Sequence, residues 1–115
     1  MKKSIIKEKS FAFALQAIEL YKILQFEKEY IISKQFLRSA TSIGANVNEA
    51  LAGESRADFV HEMSIASKKA RETLYWLELL EQSQIVAFDY NIHIQKCVEL
   101  VKILTSIVKN TKKKI

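Results

Sequence analysis

The residues of this chain whose types and spacing suit chemistry are few: His93 with Cys97, Asp58 with His61, and the glutamates Glu49, Glu62 and Glu72. His93 and Cys97 stand four apart, so one helix face would offer an imidazole and a thiolate as the beginning of a zinc site. Two ligands do not complete a tetrahedral shell. Cys97 also falls on an apolar stripe with nothing nearby to lower its pKa, so core packing is favoured over metal binding or nucleophilic chemistry. A carboxylate-bridged metal pair in a bundle needs Glu-x-x-His on two helices and a glutamate on each of the others. Asp58 to His61 is the nearest approach, and His93 has Tyr90 where its partner would stand. Glu49, Glu62 and Glu72 lie in or beside apolar faces, where paired carboxylates can do acid–base work. Equally, they can pair with Arg56, Lys69 or Arg71 or line a subunit contact, and structural pairing is favoured. No nucleophile, base and orienting group assemble, so neither catalytic residues nor a cofactor nor a metal is expected, and the protein is read as a non-enzyme.

The glycines pose a second question. Both in the chain, Gly44 and Gly53, fall within "SIGANVNEALAGES". A phosphate loop would need a glycine where Glu49 stands and a lysine after it. The apolar spacing instead continues through Gly44, which predicts helix. Gly44 costs roughly 1 kcal/mol of helix propensity relative to alanine, a cost that close backbone approach would offset. Ser42, Gly44, Ala45, Asn46, Glu49, Gly53 and Arg56 are accordingly the candidates for oligomer or close helix contact.

Charge supplies the third clue. The net charge is +5, yet the body of the chain is slightly acidic and the basicity belongs to its ends. Lys2, Lys3, Lys7 and Lys9 lie at one end and Lys109, Lys112, Lys113 and Lys114 at the other, with a smaller cluster of Lys68, Lys69 and Arg71 between. These are the candidate phosphate-contacting residues. The competing reading is a solvated, frayed tail that aids solubility.

The elements that must position these groups follow from composition and periodicity. Without proline, with two glycines and with 49% hydrophobic residues over 115 positions, the chain suits long helices in one domain, residues 1–115. Helices are predicted at about 4–26, 33–53, 56–83 and 89–110. The first carries two apolar stripes: Phe11, Ala14, Leu15, Ile18, Tyr21 and Leu24, and beside it Phe13, Ala17, Leu20 and Leu24. The third is also apolar on more than one side, through Val60, Ile65, Trp76 and Leu79. Ser33, Ser55 and Asp89 are predicted N-caps, and Gly53 a helix stop. Short links predict an all-α, antiparallel up-down-up-down four-helix bundle with both chain ends at one pole. The single cysteine gives no disulfide. The start, "MKKSIIKEKSFAFALQAIEL", has a basic beginning and an apolar middle, but Glu8, Lys9, Gln16 and Glu19 interrupt it. It is read as the first helix of a cytoplasmic protein without a membrane span.

The stretch "SIGANVNEALAGESRADFVHEMSIASKKARETLYWLELL" resembles the bacterial four-helix bundle family first noticed as reading frames in intervening sequences of 23S ribosomal RNA genes. Ser42, Ile43, Ala45, Asn46, Val47, Glu49, Ser55, Arg56, Asp58, Phe59, Ile65, Ala66, Ser67 and Glu72 follow its layout. Gly44 stands where many members have proline and Ala50 where many have glycine, so a kink in the second helix is expected to be weaker. The resemblance implies a left-handed bundle assembling as a cyclic homopentamer. It also implies a distant relationship to the accessory variability determinant of diversity-generating retroelements, a pentameric bundle thought to engage nucleic acid. It brings no catalytic residues.

Two functions are therefore expected to compete. One is a homo-oligomeric module that binds RNA or DNA, structured RNA in particular, through a basic pole formed by the chain ends. The other is a structural or adaptor protein that binds another protein through its apolar faces, with Tyr75 and Trp76 as anchors.

Overall fold

The computed structural model describes residues 4–113, in which four α-helices pack side by side: α1 Ile5–Phe26, α2 Ile32–Ala52, α3 Arg56–Ser83 and α4 Asn91–Lys113. Each helix touches two others, α1 and α3 both lying against α2 and α4, in a body of 46 × 22 × 22 Å. Among the described residues no helix is long and apolar enough to cross a membrane.

Local chemistry sets the helix ends. Ser4 caps α1 by accepting from the Lys7 amide at 3.3 Å, and Ser55 caps α3 by accepting from Asp58 at 3.0 Å. Asp89 accepts from the Asn91 amide at 3.0 Å as α4 begins. The start of α2 departs from expectation. Ser33 is buried inside the helix and donates to the Glu29 carbonyl, while the Glu29 carboxylate does the capping. It accepts from the amides of Ile31, Ile32 and Ser33, the last at 2.6 Å. A carboxylate does this better than a hydroxyl because it answers three orphan donors and meets the positive end of the helix dipole. Gly53 ends α2, but in extended rather than left-handed backbone, with φ −63° and ψ 149°. What restricts the position is space, since a Cβ there would lie 3.2 Å from both the Ala50 carbonyl oxygen and the Asp58 Cβ. α4 runs three residues further than the predicted 110.

The core corrects the reading of α1. Its buried stripe is Ile6, Phe13, Ala17, Leu20 and Leu24, with Ser10. Of the other stripe only the shared Leu24 is buried; Ala14 and Tyr21 are half-buried and Phe11, Leu15 and Ile18 face out, Phe11 being 64% and Leu15 52% exposed. Elsewhere the core is Phe36, Ala40, Ile43, Val47 and Ala50 of α2, Met63, Ala66, Ala70, Leu77 and Leu80 of α3, and Cys97, Leu100 and Leu104 of α4, with Ile94, Val101 and Val108 of α4 only partly buried against it. Leu51, next to the buried Ala50 in α2, is exposed. Between α2 and α3 one buried polar contact interrupts the apolar packing, the Thr73 hydroxyl meeting Ser39 Oγ at 2.9 Å. The links 27–31 and 84–90 come together at one end of the bundle, where Tyr90 donates to the Val86 carbonyl at 2.9 Å.

Candidate nucleic-acid interface

The groove between α3 and α4 brings four basic side chains together. On α3, Ser64, Lys68 and Arg71 recur at four and three residues and so share a face; Thr105, Lys109 and Lys112 repeat that spacing on α4. The two faces meet across a groove of about 410 Å³, with Ser67 and Val108 also lining it. Ser67 is buried, and its hydroxyl accepts from Arg71 Nη2 at 3.1 Å, which ties the guanidinium down. Among the described residues no carboxylate lines this groove and none of its four cations is in an ion pair. Four unneutralised cations and three hydroxyls on rigid elements form a surface suited to phosphate oxygens.

The other basic residues named by the sequence lie elsewhere. Lys69, beside the groove in sequence, turns away and pairs with Glu72 at 3.7 Å. Lys9 pairs with Glu99 across α1 and α4 at 3.0 Å, and that hydrogen bond holds the Glu99 carboxyl below its usual range. Lys7 lines the groove between α1 and α2 together with Glu8. Lys113 is exposed at the end of α4. Lys2, Lys3 and Lys114 lie outside the described residues.

The second groove, between α1 and α2, is larger and apolar, about 1020 Å³, with Phe11, Leu15 and Leu51 on its walls. The small-residue face of α2 divides around it. Gly44 and Ala45 line the groove, and Gly44 packs on Ser10, where a Cβ would meet the Ser10 carbonyl oxygen at 3.5 Å. Ser42 donates to its own helix at Arg38, at 2.7 Å. Asn46 turns the other way and donates to Glu62 of α3 at 3.1 Å. Glu49, Gly53 and Arg56 are exposed. Gly44 therefore lies against α1 within the chain, while Ser42, Asn46, Glu49 and Gly53 recur at four, three and four residues along another face of α2.

The residues first considered for chemistry are placed structurally. Cys97 lies in the core, its Sγ 3.3 Å from the Ala70 carbonyl, and burial, with the charge of Glu78, pushes its thiol up to about 12. His93 is half-buried beside Phe88, with no hydrogen-bond partner at Nδ1, and burial lowers its pKa. Glu72 accepts from Trp76 Nε1 at 3.1 Å as well as pairing with Lys69. Sequence reasoning missed two things here: the capping role of Glu29, signalled by an acid just before a helix, and the meeting of Lys68 and Arg71 with Lys109 and Lys112. The matching four-and-three spacing on both helices was the available signal.

Comparison with known proteins completes the picture. Among curated proteins nothing matches the sequence. A crystal structure from Bacteroides thetaiotaomicron VPI-5482, of a protein with unknown function from the S23 ribosomal protein family, is similar at 45% identity with a TM-score of 0.86. The match covers 91% of this chain and 99% of that one. The family model of the 23S rRNA-intervening sequence protein matches residues 2–106. The chain belongs to the 23S rRNA-intervening sequence protein family.

Proposed function

We propose that the protein is a non-catalytic, homo-oligomeric bundle that binds nucleic acid, structured RNA above all, through phosphate contacts in the α3/α4 groove and at the basic chain ends. The observation that carries this is the meeting of Lys68, Arg71, Lys109 and Lys112 in a groove that no carboxylate among the described residues lines. Such contacts release counterions and read shape rather than base sequence. The distant relationship to the accessory variability determinant that the family resemblance implies is in keeping with the same reading.

The bundle is taken as antiparallel, up-down-up-down and left-handed. Residue pairs support the antiparallel sense: Gly44 with Ser10 and Gln25 with Ser33, then Ser39 with Thr73 and Asn46 with Glu62. In each set numbers rise along one helix as they fall along the other. Assembly is taken to be a cyclic homopentamer that covers the α1/α2 groove, because Phe11, Leu15 and Leu51 are exposed together along it and a second copy would bury them. Light scattering is expected to give a multiple of the 13.2 kDa chain mass. Replacing Phe11 and Leu15 by Asp is expected to give the monomer; a wild-type monomer would refute assembly.

Fluorescence anisotropy tests the binding itself. The intact protein is expected to bind a labelled structured RNA with an affinity that falls steeply with salt. Indifference to salt would count against phosphate recognition. The second reading, a protein adaptor, is favoured by the same exposed apolar groove; a single protein partner captured after nuclease treatment would support it.

A further inference from the structure

Resting on that nucleic-acid reading, we infer that the α3/α4 groove takes an unpaired stretch of the strand and that Tyr75 is the platform on which one of its bases stacks. Ser64, Lys68, Arg71 and Tyr75 follow one another at spacings of four, three and four, so Tyr75 is the next residue on the face that lines the groove. The stripe is roughly 16 Å long at the α-helical rise. Long side chains on a helix lean toward its N-terminus, which carries the Tyr75 ring toward Arg71. Tyr75 is 57% exposed, which leaves an apolar aromatic surface open beside the groove.

The ring is also held. Tyr75 packs edge-to-face against Trp76, centroids 5.1 Å apart at 71°. Trp76 in turn is anchored by its hydrogen bond to Glu72, which pairs with Lys69. Base stacking on such a ring loses little side-chain entropy, because the ring's surroundings already restrict it. Beyond Tyr75 the charge reverses at Glu78, so the run of phosphate contacts stops where the aromatic surface begins. A duplex keeps its base faces inside the stack and cannot use an exposed ring; an unpaired strand, or the loop of a folded RNA, can.

The test uses anisotropy with a labelled oligouridine of about 12 nucleotides and an RNA duplex of the same length, against wild type, Tyr75→Leu, Tyr75→Phe and Lys109→Gln. The single strand is expected to bind more tightly than the duplex. Tyr75→Leu is expected to weaken it by about 5- to 100-fold with the salt slope unchanged, and Tyr75→Phe to retain it. Lys109→Gln is expected to weaken both probes and flatten both slopes. If the duplex binds at least as tightly and Tyr75→Leu changes nothing, the stacking inference falls and phosphate binding stands. If neither probe binds at low salt, both fall. Equal melting temperatures of the variants establish that folding is not what changed.

Discussion

The α1/α2 and α3/α4 seams are built on the same plan, two long helices sharing a buried stripe, yet their outer edges are opposites. The first carries Phe11, Leu15 and Leu51 around a small-residue floor; the second carries Lys68, Arg71, Lys109 and Lys112 around hydroxyls. The stripes that fold the bundle occupy about half of each helix circumference, and the flanking positions are free to specialise. One seam is left apolar at its edge and the other basic. In an oligomer the two are compatible, because burying the first leaves the second at the surface.

The largest effect that sharpens this contrast lies within α1. Phe13→Ala is expected to destabilise the chain by about 3–5 kcal/mol, as usual for a buried phenylalanine. Phe11→Ala should stay within about 0.5 kcal/mol in single-chain unfolding and act on assembly instead. Urea melts of both variants decide it; equal losses would mean that Phe11 belongs to the core.

Next comes the charged seam. Replacing Lys109 and Lys112 together by Gln is expected to weaken RNA binding about tenfold at moderate salt and to lower the salt slope by about 2. The same exchange at Lys22 and Lys34, outside the grooves, should do neither. Anisotropy across a salt series reads both quantities.

A smaller effect tests the apolar seam. A Cβ at Gly44 would rest at ordinary contact distance, 3.5 Å from Ser10. Gly44→Ala should therefore stabilise the isolated chain by about 1 kcal/mol through helix propensity. A loss on thermal melting would show that the helices tolerate no added methyl there.

The smallest effect lies outside both seams. Burial lowers the pKa of His93 in the fold from 6.5, so the unfolded chain takes up that proton first as pH falls. The associated stability is complete above about 6.5 and is lost as pH drops toward the folded value. His93→Gln should flatten this dependence in melts between pH 7 and 5.

Much of the fold was legible because a helical period exposes itself in sequence. Met63, Ala66, Ala70, Leu77 and Leu80 recur at helical spacing in the sequence and are buried together. α1 resisted the same treatment, since two apolar stripes of equal strength do not declare which one meets α2 and α4. Only packing distinguishes Phe13 from Phe11. The start of α2 was misplaced because Ser33 has the residue type of a cap, whereas Glu29, four residues earlier, reaches the free amides through the turn of its link. At the candidate interface each lysine was visible, but their partition was not. Lys69 and Lys9 are taken up by Glu72 and Glu99, while Lys68 and Lys109 meet across a seam; such pairings depend on helix rotation and register.

Lysine footprinting distinguishes a protein that meets nucleic acid at the α3/α4 seam alone from one that meets it everywhere or nowhere. Mass spectrometry would compare acylation of each lysine with and without a structured RNA. Lys68, Lys109 and Lys112 should be protected together, with Lys22 and Lys34 unchanged. Protection spread evenly over all lysines, or absent from Lys68 and Lys109, would contradict the account.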